Sequence, residues 1–341
     1  MQNCRHVNAA SDFHSTTNME GLPCALLSDK MCHLPEDYIE LVKLHFRIIW
    51  FKDFVQNQQQ CSQVTQALFV WAQLPHVTQE LLQSLPNLKV IVNGGVGVNH
   101  LDLNLISRFG VKVGNTPHVL SNATADMGMA LMLASARRLI EGINIACSPE
   151  TTAFDCNWIG IDVSGTTLGI IGMGNIGFKV AQRAKGFEMK ILYHNRNRRH
   201  KEEEAVGAHF CEKIEDLLQQ SDFVMIAVNL TPETVKLIGK RELDMMKPTA
   251  TLINISRGQV VDQDALVEAL QKGVIRAAAL DVTYPEPLPR HHPLLTMKNV
   301  ILSPHIGSAT YNTRKSMLQK MVENAVAAIN GTPLPDEVVP R

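Results

Sequence analysis

The sequence predicts an α/β fold with two parallel sheets, and three observations indicate it. Short apolar runs alternate with longer segments of helical periodicity, as expected when each strand is followed by a crossover helix. The 341 residues are many for one hydrophobic core and sufficient for two domains. A glycine-rich segment, Gly172-Met173-Gly174-Asn175-Ile176-Gly177, follows one apolar run and begins a helical one.

The apolar runs form two sets, separated by a segment rich in turn residues at 142–165. The first set predicts strands at 23–28, 46–51, 67–71, 88–92 and 111–114. The second set predicts strands at 167–172, 189–194, 223–228, 249–255, 276–281 and 300–303.

Two helical segments bear on the domain organisation. Residues 123–139 are apolar on nearly every face, so this helix belongs either to a central core or to a subunit interface. A helix at 312–330 follows the last strand and stops at Gly331. If it returns to the first domain, that domain is discontinuous. We therefore expect a substrate-binding domain at 21–117 and 310–341, and a nucleotide-binding domain at 118–309.

Composition excludes several classes of protein. A net charge of -1 provides no electrostatic basis for binding nucleic acid or an anionic membrane. The most apolar run, 127–136, is about half as long as a membrane span. The seven cysteines are scattered, which favours free thiols in a reducing compartment, and no metal-ligand cluster is evident. Residues 1–20 lack the apolar core of a secretory signal. We expect a cytoplasmic protein without a metal, and a disordered tail at 1–20.

The glycine-rich segment predicts a dinucleotide site. Gly172 allows a tight turn, Gly174 lets the backbone approach a pyrophosphate, and Gly177 lets helix and strand pack closely. The following helix, expected at 176–185, presents free N–H groups and its positive dipole end to the phosphates. A tight turn without a ligand is the alternative, which the strand–turn–helix context disfavours.

The end of the second strand of this domain indicates which cofactor is bound. An NAD site has an Asp or Glu there, which accepts hydrogen bonds from the ribose hydroxyl. This chain has Asn195-Arg196-Asn197-Arg198-Arg199 instead, and an arginine fork pairs well with a 2′-phosphate. We predict NADPH or NADP⁺, held mainly by Asn195 and Arg196, with Arg198 as a further candidate. The alternative for Arg198 and Arg199 is a solvated basic loop.

Three chemically competent side chains follow apolar runs of the second set: Arg257, Glu286 and His305. In an open parallel sheet, ligands bind at the carboxyl ends of strands. A carboxylate beside an imidazole favours the charged form and raises the imidazole pKa, which makes a general acid near neutral pH. A fixed guanidinium holds a carboxylate and polarises a carbonyl. For His305 the alternative is a loop histidine satisfied by backbone groups.

In the first domain, three glycines occur within the segment Asn93-Gly94-Gly95-Val96-Gly97, directly after a predicted strand. Successive backbone N–H groups in such a turn bind an anion without a charged side chain. A flexible turn is the alternative.

Together these motifs resemble the D-isomer-specific 2-hydroxyacid dehydrogenase family, and within it the glyoxylate/hydroxypyruvate reductases. The resemblance covers roughly residues 23–335. It rests on residues 95–102, the Asn-Thr-Pro at 115–117, the glycine loop, the Asn-Ile-Ser-Arg-Gly at 254–258, Asp281-Val282 with Glu286-Pro287, and the Ser-Pro-His-Ile-Gly-Ser at 303–308.

The resemblance implies two Rossmann-like domains with the active site in the cleft between them, and a homodimer built on the nucleotide domain. It also implies hydride transfer from a nicotinamide to the 2-oxo carbon. His305 would donate the proton, Glu286 would orient and charge His305, and Arg257 with the backbone of Val96 and Gly97 would hold the substrate carboxylate. The predicted cofactor-binding residues are Thr124, Gly172, Gly174, Asn175, Ile176, Gly177, Asn195, Arg196, Arg198, Val228, Asn229, Thr234, Ile255, Asp281, His305 and Gly307.

We therefore predict an NADPH-dependent reductase of small 2-oxoacids, such as glyoxylate, hydroxypyruvate or 2-ketogluconate, that produces D-2-hydroxyacids. The alternative is a nucleotide-sensing, corepressor-like binding protein on the same fold. Such proteins resemble NAD sensors with an acid at the end of the second strand, where this chain has Asn195 and Arg196. A catalytically inactive relative is disfavoured because all three catalytic groups are present.

Overall fold

A computed structural model describes residues 21–153 and 158–340. The expected tail at 1–20 lies outside the described residues. The chain forms two compact units, one extending to Thr116 and resuming at Met317, the other running from Pro117 to Ser316. The sequence places these boundaries after residues 117 and 309. The second boundary comes later because it falls inside one continuous helix.

The first unit contains a five-stranded parallel sheet with the strand order β2-β1-β3-β4-β5. Its strands are β1 (Cys24–Leu27), β2 (Arg47–Trp50), β3 (Thr65–Trp71), β4 (Val90–Gly94) and β5 (Lys112–Gly114). Its helices are α1 (Glu36–Lys43), α2 (Phe51–Gln56), α3 (Gln58–Ser62), α4 (Gln79–Gln83) and α5 (Leu103–Arg108). The central strands are apolar on both faces because helices cover a parallel sheet on both sides.

The second unit contains a seven-stranded parallel sheet with the order β12-β11-β10-β9-β6-β7-β8. Its strands are β6 (Thr167–Ile171), β7 (Lys190–His194), β8 (His209–Phe210), β9 (Phe223–Ile226), β10 (Thr251–Asn254), β11 (Ala277–Leu280) and β12 (Val300–Leu302). Its helices are α6 (Ser121–Ala136), α7 (Leu139–Cys147), α8 (Asn175–Lys185), α9 (His200–Val206), α10 (Ile214–Gln220), α11 (Lys240–Met245) and α12 (Gln263–Gln271). The last helix, α13 (Tyr311–Ile329), begins in this unit and continues into the first.

The register of the second sheet aligns the carboxyl ends of its strands. Ile171 lies opposite both His194 and Ile226, and Asn254 lies opposite both Ile226 and Leu280. Residues that follow these strands therefore begin their turns at one edge of the sheet. The direction of strand succession reverses between β6 and β9, which is where open α/β sheets bind ligands.

Each of the eleven predicted strands overlaps an observed one, and β8 was not predicted because its two residues are too short to show a pattern. The helix predicted at 123–139 ends earlier, at Ala136, because Arg138 adopts a left-handed conformation with φ of 50°. A second helix, α7, begins at Leu139. Residues 142–147, at the start of the segment that separates the two sets of strands, are therefore helical.

Helix α6 is a core helix of the second unit. Ala125, Met129 and Met132 are buried in the same hydrophobic cluster as the strands of the sheet. At Gly128 an added Cβ would lie 2.9 Å from the sulfur of Met225 and 3.0 Å from Cδ1 of Ile255. Within the described residues, no helix is both long and apolar enough to cross a membrane.

Candidate active site

The glycine loop after β6 has no space for a side chain at Gly172 or Gly177, but it has space at Gly174. Gly172 has a φ of 103°, and an added Cβ would lie 2.6 Å from the carbonyl oxygen of Ala227. An added Cβ at Gly177 would lie 1.9 Å from the carbonyl oxygen of Gly172. At Gly174 an added Cβ would meet nothing within 4 Å. The loop therefore leaves room for a ligand to approach the backbone at Gly174.

Helix α8 begins directly behind this opening, at Asn175. Its first-turn N–H groups, including that of Ile176, have no acceptor within the helix and carry the positive end of the dipole. The Asn175 side chain donates from Nδ2 to Nδ1 of His118 over 3.0 Å. An open glycine beside a helix N-terminus fits the diphosphate of a dinucleotide.

Asn195, at the end of β7, connects the basic loop to the glycine loop. Its Oδ1 accepts a hydrogen bond from the N–H of Met173 at 3.3 Å, and its Nδ2 donates to the carbonyl of Asn197 at 2.7 Å. The predicted residue thus stands beside the predicted phosphate site, where it shapes both turns.

The arginines of the basic loop differ in their surroundings. Arg198 forms two hydrogen bonds to the carboxylate of Glu203, at 2.9 and 2.7 Å, and this pairing above all lowers the pKa of Glu203 to about 2. Arg199 forms an ion pair with Glu202. Both guanidinium groups are thus paired with carboxylates of α9, and a phosphate-binding role for Arg198 stays a prediction.

Arg196 is exposed, and its charge reaches the loop that follows β9. The hydroxyl of Thr231 is the main cause that lowers the pKa of Glu233, and the charge of Arg196 adds to that effect. In the same loop Thr234 donates from Oγ1 to the carbonyl of Asn229 at 2.7 Å. The predicted residues Asn229 and Thr234 therefore belong to a single hydrogen-bonded turn.

His305 and Glu286 form a close pair. Nδ1 of His305 lies 2.9 Å from Oε2 of Glu286, and Oε1 of Glu286 accepts from the N–H of Thr283 at 3.0 Å. Burial pushes the pKa of Glu286 upward, but hydrogen bonding and charge from His305, the N–H of Thr283 and the charge of Arg257 outweigh it, so the pKa is lowered. An ionised carboxylate only accepts hydrogen bonds, so Nδ1 carries the hydrogen.

Arg257 follows β10 and is half-buried. Its Nη1 donates to the carbonyl of Ser256 at 2.7 Å. Desolvation lowers the pKa of Arg257, and the charge of Glu286 opposes this shift. An added Cβ at Gly258 would lie 2.1 Å from the carbonyl carbon of Thr283, so the Arg257 turn packs directly on the Glu286 turn. The structure thus brings together all three predicted catalytic groups.

Asp281, directly after β11, anchors the turn that carries His305. Its Oδ1 accepts from Ser303 Oγ at 2.6 Å and from the N–H of Ile306 at 2.9 Å, while Oδ2 accepts from the N–H of Gly307 at 2.8 Å. His305 itself adopts a left-handed φ of 54°. The sequence offered Asp281 only as a cofactor ligand by resemblance. The sequence signal for this second role is an acidic residue at the end of an apolar run. In the structure this carboxylate is buried.

The remaining predicted cofactor residues lie close to these turns. An added Cβ at Gly307 would lie 3.3 Å from Cγ2 of Thr124, and one at Gly172 would lie 2.9 Å from Cγ1 of Val228. Ile255 follows Asn254 at the end of β10 and is buried. Thr124, Val228, Ile255 and Gly307 therefore all lie at or beside the carboxyl edge of the second sheet.

In the first unit, the turn after β4 is held through its carbonyl groups. Asn93 donates from Nδ2 to the carbonyls of Gly95 and Gly97, at 3.2 and 3.1 Å, and Asn115 donates to the carbonyl of Val96 at 2.8 Å. Hydrogen bonds to three of its carbonyl groups therefore stabilise this turn.

No group of three or more His, Cys, Asp or Glu side chains within residues 21–153 and 158–340 is placed to hold a metal ion.

The sequence profile of the D-isomer specific 2-hydroxyacid dehydrogenase NAD binding domain matches residues 129–307, more than half of the chain. This chain belongs to that family. The predicted family is confirmed, as is the α/β fold with two parallel sheets. The matched segment contains the glycine loop and the three predicted catalytic residues, and this dehydrogenase has the family's nicotinamide-binding domain.

Several relatives of this dehydrogenase are named for the substrates that they reduce. The glyoxylate reductase of Thermococcus gammatolerans is 43% identical over 306 residues, covering 87% of this chain and 91% of that protein. The glyoxylate/hydroxypyruvate reductase B of an Enterobacter species is 42% identical over 304 residues, covering 87% of this chain and 93% of that protein.

A solved structure extends the comparison. The NADPH-dependent glyoxylate/hydroxypyruvate reductase of Sinorhizobium meliloti, in complex with NADP and malonate, superposes with a TM-score of 0.82 at 29% identity, covering 93% of this chain and 96% of that one. These three relatives lend no support to the corepressor-like alternative.

Proposed function

We propose that this dehydrogenase reduces small 2-oxoacids to D-2-hydroxyacids with NADPH. Glyoxylate and hydroxypyruvate are the first candidates because relatives that share most of this chain's length are named for them. The longer 2-ketogluconate is a further candidate. The observation that carries the proposal is the His305–Glu286 pair, with Nδ1 of His305 2.9 Å from Oε2 of Glu286, because the Glu286 turn also packs against the Arg257 turn.

The chain's own groups fit a dinucleotide. The open Gly174, between Gly172 and Gly177, and the N–H groups of Asn175 and Ile176 would hold the pyrophosphate. The resemblance assigns the rest of the cofactor surface to Thr124, Val228, Asn229, Thr234, Ile255, Asp281 and Gly307. When bound, the nicotinamide supplies the hydride that reduces the 2-oxo carbon.

NADPH is proposed over NADH because the end of β7 offers no carboxylate to a ribose hydroxyl. Arg196 is the preferred partner of the 2′-phosphate, since Arg198 is already paired with Glu203. Asn195 supports this role because its side chain connects the basic loop to the glycine loop.

The three catalytic side chains have complementary tasks in this proposal. Arg257 binds the substrate carboxylate and polarises the oxo group, and the backbone of Val96 and Gly97 is a second carboxylate contact by resemblance. The oxo oxygen gains negative charge during reduction. With Nδ1 of His305 bonded to Glu286, the proton that His305 delivers to this oxygen sits on Nε2. Glu286 stabilises the charged imidazole before the transfer.

A homodimer through the second unit is part of the same proposal. Helix α7, all of which the structure describes, has no buried residue, and it exposes Leu139, Ile140 and Ile143. A run of large apolar side chains on one exposed helix is typical of an interaction surface. Ile143→Glu should convert a dimer to a monomer in light scattering after size exclusion. A cytoplasmic location stays a prediction.

The decisive experiment measures kcat/KM for a series of 2-oxoacids of increasing length, each with NADPH and with NADH. We expect the highest values for glyoxylate or hydroxypyruvate with NADPH. An Arg257→Met variant serves as the control for adventitious turnover. If no 2-oxoacid is reduced with either cofactor, the proposed activity is wrong, and cofactor binding without turnover would favour the nucleotide-sensing alternative.

A further inference from the structure

A buried amide side chain stands at the end of the central strand β10. Asn254 is 1% exposed and lies opposite Ile226 on one neighbouring strand and Leu280 on the other. Both neighbours are apolar, so the amide is buried among hydrophobic strands. Burial of an amide is unfavourable unless its hydrogen bonds are made, so its partners indicate what it does.

Within the described residues, the Asn254 side chain forms its hydrogen bonds with Ser256 and Arg257. Oδ1 accepts from the N–H of Ser256 at 3.0 Å and from Ser256 Oγ at 2.8 Å, and Nδ2 donates to the carbonyl of Arg257 at 2.9 Å. The amide therefore fixes the Ile255–Ser256 and Arg257–Gly258 peptide groups, and the Ser256–Arg257 peptide lies between them.

This turn also orients the guanidinium of Arg257. Nη1 of Arg257 donates to the carbonyl of Ser256 at 2.7 Å, and Asn254 holds the N–H and hydroxyl of that same serine. Ser256 thus connects the two side chains: its N–H and hydroxyl bond to the Asn254 amide, and its carbonyl accepts from Arg257.

We propose that Asn254 is a positioning residue that orients Arg257 toward the substrate carboxylate. The inference rests on the proposed function, in which Arg257 holds that carboxylate. Misplacing a substrate-binding group by about 1 Å costs up to roughly 100-fold in rate, so loss of this amide should weaken recognition of the oxoacid. Binding of the cofactor should be spared.

Two substitutions remove the amide in different ways. Asn254→Asp keeps the shape but replaces the Nδ2 donor with an acceptor that faces the carbonyl of Arg257. Asn254→Ala removes all three hydrogen bonds. Ser256→Ala removes only the hydroxyl bond to Oδ1, and it is the milder variant if the Asn254 variants do not fold.

The kinetic test compares KM values for glyoxylate and for NADPH. We expect KM for glyoxylate to rise roughly 10- to 100-fold in both Asn254 variants and less in Ser256→Ala, with KM for NADPH within about twofold of wild type. Asn299→Asp is the matched control, because its Nδ2 also donates to a carbonyl, that of Arg276 at 3.1 Å, at the opposite edge of the sheet. It should leave both KM values unchanged.

A second measurement does not depend on turnover. The arginine reagent phenylglyoxal should label Arg257 several-fold faster in the Asn254 variants than in wild type, as measured by peptide mass spectrometry, with the exposed Arg290 as the internal standard. If the variants change only thermal stability, with unchanged labelling and unchanged KM for glyoxylate, the positioning role is refuted. If wild type reduces no 2-oxoacid, the proposed function fails, and the labelling alone decides the inference.

Discussion

Two buried asparagines, one in each unit, hold the turn that follows a strand, and they differ in what that turn presents. Asn93 in β4 donates to the carbonyls of Gly95 and Gly97. Asn254 in β10 both accepts and donates within the turn that carries Arg257. The first turn has three glycines and no charged side chain, whereas the second presents a guanidinium. A buried asparagine that is hydrogen-bonded to the following turn therefore supports a neutral backbone surface in the first unit and a charged side chain in the second.

This difference predicts two kinds of mutational effect. At the carboxyl edge of the second sheet, substitutions remove charge or a transferable proton, so they should act on kcat or on one specific ligand. At the glycine turn of the first unit, substitutions change only backbone shape, so they should act weakly on substrate binding.

The largest effect is expected from His305→Ala. The variant should lose roughly 10²–10⁴-fold in kcat for glyoxylate, because the proton from His305 is needed only in the transition state. The dissociation constant of NADPH, measured by fluorescence titration, should stay nearly the same. His292→Ala, a histidine bonded to Gln263, is the control and should retain full turnover. Turnover of His305→Ala within a few-fold of wild type would remove His305 from the mechanism.

Arg196→Ala should raise KM for NADPH by roughly 10- to 100-fold, because a hydrogen bond to a charged group contributes about 1.5–3 kcal/mol. KM for NADH should hardly change. Arg198→Ala is the matched control. It should raise KM for NADPH less, because the Arg198 guanidinium already forms two hydrogen bonds to Glu203. A wild type that prefers NADH would show that the assignment of this loop is wrong.

Glu286→Gln should move the pH profile of reduction. The pKa of Glu286 is lowered, so its carboxylate is charged throughout the assay range and places a negative charge 2.9 Å from Nδ1 of His305. A negative charge at this distance stabilises the protonated form of an imidazole. Without that charge, the limb on which kcat/KM falls with rising pH should shift to lower pH.

The reverse reaction tests the same pair, since oxidation of the hydroxyacid requires an imidazole that accepts a proton. Its rising limb should also shift to lower pH in Glu286→Gln. Glu202→Gln, on α9, is the control and should leave both profiles in place. If the pH profiles of wild type and Glu286→Gln are superimposable, Glu286 does not influence the protonation of His305.

The smallest effect is expected in the first unit. Gly95 has a φ of 153°, and an added Cβ would meet only Nδ2 of Asn93, at 3.6 Å. Gly95→Ala should therefore strain the turn without a clash and raise KM for glyoxylate by about five- to tenfold, a cost of about 1–1.4 kcal/mol. Gly110→Ala, with a φ of 71° and open space around it, should lower stability but leave KM unchanged. If Gly95→Ala lowers kcat as strongly as His305→Ala, the proposed difference between the two turns is wrong.

Local sequence determined most of the secondary structure of this dehydrogenase. Each predicted strand was a short segment of mostly apolar residues, and such a segment is visible without any knowledge of its neighbours. The two-residue strand β8 has no such pattern, and the break at Arg138 between α6 and α7 depends on a backbone conformation that arginine rarely adopts. The three proposed catalytic residues could be predicted because each belongs to a short motif that follows an apolar run.

Only the tertiary structure decided how those residues are held. Asp281 and Ser303 are 22 residues apart in sequence, and they meet because β11 and β12 pair in a register that aligns Leu280 with Leu302. Arg196 and Arg198 look equivalent in the sequence, but Arg198 is paired with Glu203 in the first turn of α9. The residue types and their spacing carry the chemistry, whereas hydrogen-bond partners depend on which strand ends and helix turns the fold places within about 3 Å of each other.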